Sequence, residues 1–159
     1  PVGVGGRLYS APFEGTLGQI WQACRDPKLL SVWYGPGVET VIHEFDLRPG
    51  GRWLNEMRMG EKSDYSRMDF QEVAEGDKIV WLHHSTDENW EQAPNPMMPN
   101  WPQKLLTTVT FSEQNGRGQV KLEQVPVDAT EDEIACFAQM MGNMDSGWGK
   151  GFDLLQTLL

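Results

Sequence analysis

The sequence predicts an α+β fold: a curved antiparallel sheet of about seven strands wrapped around a long C-terminal helix, with two short helices after the first strand. Three observations lead there. Between Val38 and Val125 apolar and polar residues alternate in successive runs, the period of strands with one solvated face. The C-terminal stretch instead carries Ile134, Phe137, Met141, Met144, Trp148, Phe152, Leu155 and Leu159 at steps of three or four, the stripe of an amphipathic helix. Near the N-terminus Leu17, Ile20, Trp21 and Cys24 fall on one helical face.

Taken in order, Arg7 to Glu14 reads as a first strand, which Pro12 confines to a sheet edge. Gly15 to Arg25 is a helix. Asp26-Pro27 caps and opens a second, ending near Trp33 before Gly35-Pro36-Gly37. Val41, His43, Phe45 and Leu47 alternate, and Arg48-Pro49-Gly50-Gly51 turns the chain. Trp53, Asn55, Met57 and Met59 alternate next, before a hairpin loop over Gly60 to Ser63. Asp64 to Val73 and Lys78 to Ser85 are strands joined at Glu75-Gly76-Asp77. Four prolines (Pro94, Pro96, Pro99 and Pro102) exclude a regular element from Thr86 to Gln103. Leu105 to Phe111 and Gln119 to Val125 pair across an Asn115-Gly116 turn. Thr130 and Glu133 have capping-box spacing, so the last helix runs from about residue 131 to the end.

The chain of 159 residues suits one domain over residues 7–159, with a frayed Gly-rich end at 1–6. Thirteen Lys and Arg against 23 Asp and Glu give a net charge of −10 with no basic cluster, which disfavours nucleic acid and anionic membrane surfaces as partners. Cys24 and Cys136 lack metal-ligand spacing and read as free thiols in a reducing compartment. No apolar run reaches the roughly 18 residues of a membrane span, and the N-terminus does not resemble a signal peptide. A cytoplasmic protein without cofactor or metal is the expectation.

The residues also carry a resemblance. Leu47-Arg48-Pro49-Gly50-Gly51-Arg52-Trp53 resembles a "DLRPGGxW" segment. Glu72-Val73 with Asp77-Lys78-Ile79-Val80 resembles an "E-V-x-P-x-x-L-V" strand pair, without its proline. Thr107-Thr108-Val109-Thr110-Phe111 matches a "TVTF" strand, and Gly147-Trp148 with the following leucines resembles a "GW…L…L" helix. In this order, over residues 7–159, they resemble the START-like (SRPBCC, helix-grip) superfamily. Within it they resemble the family similar to the C-terminal domain of the activator of heat-shock-protein-90 ATPase. The resemblance implies the helix-grip fold and an internal pocket; it does not imply co-chaperone activity.

Several side chains are candidates for such a pocket. Trp53, Met57, Met68, Phe70, Trp81, Phe111, Met141, Met144 and Trp148 supply soft and aromatic surface that adapts to varied shapes. Asn55 and His83 are polar residues on the apolar face of their strands; His84, adjacent, points the other way. Asp64, Asp69, Glu72 and Glu75 form no acid/base pair and read as solvated charges. Trp90, Met97, Met98 and Trp101, in the proline-rich segment, are candidates for a lid or a homodimer contact, a loop folded back on its own domain being the alternative. No nucleophile elbow, phosphate loop, HExxH or dinucleotide fingerprint is present, and no catalytic residue is assigned. The expectation is a non-enzymatic site for a small hydrophobic or aromatic molecule. The alternatives are a cyclase-, aromatase- or hydrolase-type enzyme using His83 and Asn55, and a chaperone-linked interaction module.

Overall fold

The computed structural model describes residues 7–12, 15–34, 38–95 and 98–158, with the backbone alone for 7–12 and 141–147. Its elements are β1 (Arg7–Pro12), α1 (Leu17–Arg25), α2 (Pro27–Trp33), β2 (Glu39–Phe45), β3 (Arg52–Met59), β4 (Lys62–Ala74), β5 (Lys78–Thr86), β6 (Lys104–Gln114), β7 (Arg117–Pro126), α3 (Glu131–Gln139) and α4 (Met141–Thr157). The seven strands form one antiparallel sheet in the order β1-β7-β6-β5-β4-β3-β2. β1 lies at one edge, where the missing N–H of Pro12 interrupts no inner ladder. The expected frayed segment 1–6 lies outside the described residues.

Local chemistry sets the ends of the helices. Thr16 Oγ1 accepts from Gln19 N at 3.3 Å while Gln19 Oε1 accepts from Thr16 N at 2.9 Å, a capping box at the start of α1. Asp26 Oδ1 accepts from Lys28 N at 2.9 Å, with Pro27 in the first turn of α2. Asn115 and Gly116 both have positive φ, 56° and 78°, the geometry that closes a two-residue hairpin between β6 and β7. Bulges at His43 and Gln71 interrupt the β2–β3 and β4–β5 registers, and bulges of this kind add bend to a sheet.

The C-terminal stripe is carried by two helices rather than one. Met140 leaves the helical region at φ −93° and ψ 1°, and its N–H is shared between the Cys136 and Phe137 carbonyls. The two pieces have different partners. Phe137 of α3 packs on Trp101, ring centroids 5.7 Å apart, whereas Phe152 and Leu155 of α4 enter the main core with the sheet, α1 and α2. One straight helix need not satisfy both, and the break at Met140 separates them.

That core joins Ile20 and Trp21 of α1, Leu30 and Trp33 of α2, and the inward side chains Trp53, Met68, Phe70, Trp81, Phe111 and Leu122 to Phe152 and Leu155. No helix among the described residues is long and apolar enough to cross a membrane.

Candidate ligand cavity

The register sorts the inner face of the sheet into cross-strand rows. Phe70, Trp81, Thr107 and Gln124 form one row across β4 to β7. Trp53, Met68, His83 and Leu105 form the next, Asn55, Ser66 and Ser85 a third, and Met57 with Asp64 the last. Polarity therefore rises along the strands. Fully buried aromatics occupy one end, and hydroxyls, a carboxyl and an imidazole the other.

The two ends are filled differently. Around Trp53, Phe70, Trp81 and Phe111 only about 30 Å³ remains free. These rings interlock, with Trp53 5.8 Å from Trp81 and 5.7 Å from Phe45 between centroids, as expected of dense core packing. At the polar end a cavity of about 330 Å³ opens between β3–β7, the α2 terminus, α4 and the 87–103 loop. Met57, Asp64, Ser66, His83 and Ser85 form its sheet side, Trp33, Tyr34, Trp148 and Gly151 its helical side, and Trp101 and Asn95 come from the loop. A volume of this order suits a small organic ligand.

The predicted pocket residues divide accordingly. Met57, His83 and Trp148 line the open cavity. Trp53, Met68, Phe70, Trp81 and Phe111 are core, between 0 and 7 % exposed. Asn55 is 1 % exposed, and its Oδ1 accepts from Trp53 Nε1 at 3.3 Å, a structural bond that supports the row beside the cavity. The side chains of Met141, Met144 and Met97 lie outside the described residues. Met98 is half-buried in a turn closed by its own N–H on Asn95, away from the cavity lining.

Two expectations are corrected. Asp64 is not a solvated strand charge. It alternates with Ser66, Met68 and Phe70 on the inner face of β4 and borders the cavity. Trp90 is not over the pocket: it packs against His43 and Tyr65, and both belong to the outer face of the sheet. The 87–103 segment wraps the end of the sheet, presenting Trp90 outside and Trp101 inside. Backbone bonds tie it down, from Ala93 N to Ser85 O and from Ser85 N to Gln103 O, both 2.9 Å. Arg67 Nη1 donates to Trp90 O at 2.9 Å, and Gln103 N donates to Glu133 Oε2 of α3 at 2.9 Å.

The lining mixes apolar rings with polar groups and holds no fixed positive charge: no Lys or Arg is among its described residues. His83 keeps part of its ring open to the cavity while Nδ1 is enclosed and has no hydrogen-bond partner. Burial, with a smaller contribution from His84, lowers its pKa to about 4, so the ring is neutral at pH 7. Burial raises the pKa of Asp64 above the ordinary aspartate value. The Tyr34 phenol is pushed up as well, by burial and then by the neighbouring Asp64 carboxylate. Gln124 is engaged at both ends, with Nε2 donating to Thr107 Oγ1 at 3.3 Å and Oε1 accepting from Trp148 Nε1 at 3.4 Å. That chain fixes the indole that separates the filled core from the open cavity. Among the described residues no group of His, Cys, Asp and Glu could hold a metal ion.

Sequence reasoning did not single out Tyr34, Ser66, Ser85 or Gln124. The signal for the two serines was present: Ser66 is two residues from Met68, and Ser85 two from His83, so each shares its neighbour's face. Tyr34 and Gln124 reach the cavity through the tertiary path of the chain, which no local spacing encodes.

Comparison with known proteins agrees with the fold. Solved structures of similar shape include protein Ms6760 from Mycobacterium smegmatis, 22 % identical with a TM-score of 0.79 over 97 % of this chain and 90 % of that one. A protein from Arthrobacter aurescens is 17 % identical with a TM-score of 0.79, covering 96 % of this chain and 84 % of that one. Protein CV1439 from Chromobacterium violaceum is 19 % identical with a TM-score of 0.73, covering 96 % and 95 %. Among curated proteins none matches the sequence significantly. The family model for "Activator of Hsp90 ATPase homolog 1-like protein" matches residues 15–159, and the chain belongs to that family, within the START-like (SRPBCC) fold.

Proposed function

We propose that the protein binds a small amphipathic molecule with an aromatic or apolar body in the cavity between the sheet and α4. One observation carries this reading: the fold leaves about 330 Å³ open where indoles face hydroxyl, imidazole and carboxyl groups, while the adjoining aromatic core is closed. The ligand's apolar body rests on Trp33, Trp101 and Trp148, and its polar group meets the sheet. This differs from a wholly hydrophobic site, because the space is at the polar end. Titration of a soluble aromatic library, read by tryptophan fluorescence and thermal shift, is expected to give saturable hits. A Ser85→Phe variant that remains folded should lose them by filling the cavity. Hits that bind the filled variant unchanged would overturn the assignment.

A second reading is supported by His83 and Asp64, which share the cavity with pKa values displaced toward their neutral forms. A neutral imidazole is a base for chemistry on a bound molecule, and a carboxyl that burial holds above its ordinary pKa is its acid partner wherever it carries a proton. Product formation from a bound hit, lost in His83→Gln with affinity retained, is the expected sign of such an enzyme. A chaperone-linked interaction module has less support, since among the described residues Val32 is the one large apolar side chain that is exposed.

A further inference from the structure

Resting on the reading of the cavity as a ligand site, we infer that its ligand is an organic cation: a protonated aliphatic amine on an aromatic or apolar body, paired with Asp64 and enclosed by the rings of Tyr34, Trp33 and Trp148. The starting point is an uncompensated carboxyl. Asp64 faces the cavity, and no Lys or Arg among the described lining residues answers its charge. It makes no ion pair with any described residue, although twelve other acidic groups among the described residues do, or hydrogen-bond to backbone or side chains nearby. A carboxylate removed from water without a counter-charge is costly, so the site either keeps a proton or receives a cation from outside.

The rings opposite favour the second partner. Tyr34 lies 6.2 Å from Trp33 and 5.8 Å from Trp148 between centroids, both edge-on, so the three form one continuous aromatic wall. Tyr34, Trp33, Trp148 and Asp64 line the same cavity, so that wall and the carboxyl share one enclosed space. An ammonium held over aromatic faces gains about 0.5–2 kcal/mol, more as the site is desolvated. Ser66, next on the same face of β4, offers a hydroxyl oxygen to a second ammonium hydrogen. His83, neutral at pH 7, adds no competing positive charge. The net charge of −10 draws cations toward the protein from a distance and repels anions.

Three molecules of one shape and different charge test this: 3-phenylpropan-1-amine, 3-phenylpropan-1-ol and 3-phenylpropionate, titrated by calorimetry and tryptophan fluorescence at pH 7.5. The amine is expected to bind at least tenfold more tightly than the alcohol, and the carboxylate more weakly than both. Asp64→Asn, with its fold checked by circular dichroism, should bring the amine down to the level of the alcohol while leaving the alcohol unchanged. An alcohol that binds as well as the amine, or an amine preference that survives Asp64→Asn, overturns the cation assignment and leaves the ligand site standing. Failure of all three to bind overturns both.

Discussion

The indole of Trp90 lies edge-on against the imidazole of His43, ring centroids 5.2 Å apart, on the face of the sheet turned away from the cavity. Tyr65 packs on the same indole at 5.4 Å. Trp90 holds this place with φ at 65°, a left-handed backbone that an aromatic residue rarely adopts. The bond from Arg67 to its carbonyl and the ring contacts offset that strain. Trp101, eleven residues on, lines the cavity instead. The two tryptophans of one loop thus have separable roles. Trp90→Ala should lower the unfolding free energy by about 2 kcal/mol, less than the ~3–5 kcal/mol of a fully buried aromatic, and leave ligand affinity unchanged. Trp101→Ala should weaken binding several-fold. Denaturation curves and ligand titrations of both variants check this; reversed effects would place Trp90 at the site.

Glu56, on the same outer face and 6 % exposed, predicts a pH dependence. Ser63 Oγ donates to its Oε2 at 2.6 Å, His43 Nε2 lies 2.9 Å from Oε1, and Arg58 Nε donates to Oε2 at 3.2 Å. The Ser63 bond, with those of His43 and Arg58, outweighs burial and holds the carboxyl near a pKa of about 2. A carboxyl with its folded pKa below its unfolded one contributes stability above the unfolded value and loses it as pH falls toward the folded one. Stability should therefore drop between about pH 4.5 and pH 2, and Glu56→Gln should flatten that limb while lowering stability at pH 7. Chemical denaturation at half-unit pH steps gives the comparison.

His83 acts in the next window. Its folded pKa of about 4 lies below the ordinary 6.5, so the unfolded chain binds the extra proton between the two values. Its contribution is complete above pH 6.5 and is lost as pH falls to about 4. Asp64, facing the same cavity with a pKa that burial raises, works in the opposite sense as pH rises from its ordinary value, and the Tyr34 phenol titrates far above the histidine window. The wild-type curve contains both carboxyl and imidazole terms, so the difference from His83→Gln isolates the histidine. That difference should change with pH between 6.5 and 4 and be constant above 7. A constant difference throughout would show that His83 is solvated.

Alternation made most of the sheet legible, because a strand with one buried face writes its period directly into the sequence. Trp53, Met68, Phe70, Trp81 and Phe111, expected as pocket lining for their soft and aromatic surface, lie in the closed core instead, because composition does not tell a filled space from an open one. Local chemistry also gave α2 its ends, through Asp26, Pro27 and the following glycines. The break at Met140 was not legible, since the apolar steps of three and four continue across it and its cause is the separate docking of Phe137 and Phe152. Asp64 was missed for a related reason. A charged residue in a strand is normally solvated, and only the walls opposite, contributed by α2 and α4, make its position a cavity rim. Trp90 could be recognised as a residue that would not remain in water, but not on which face of the sheet it would find cover.

The Leu47–Trp53 segment, recognised by resemblance alone, has a physical explanation that yields the last prediction. Gly51 N donates to Arg48 O at 2.8 Å, Phe70 N donates to Gly51 O at 3.0 Å, and Gly50 N donates to Phe70 O at 2.9 Å, so the turn is bonded to β4. The two glycines serve different needs. Gly50 has φ at 83°, and a Cβ there would meet nothing within 4 Å, so Gly50→Ala should cost only the roughly 1–2 kcal/mol of a left-handed alanine. At Gly51 the φ is ordinary, but a Cβ would stand 2.1 Å from the Asp46 carbonyl oxygen and 3.1 Å from that of Arg48. Both obstacles are backbone, and neither can turn aside as a side chain would. Gly51→Ala must displace the turn, weaken its bonds to Phe70 and shift Arg52 and Trp53, where β3 begins. The expected loss is about 3 kcal/mol or more, larger than at Gly50, with reduced affinity for cavity ligands because Met57 follows on the same strand face. Urea denaturation of the two single variants decides it: an equal or smaller loss at Gly51 would mean that the turn relaxes freely and does not set the register of β3.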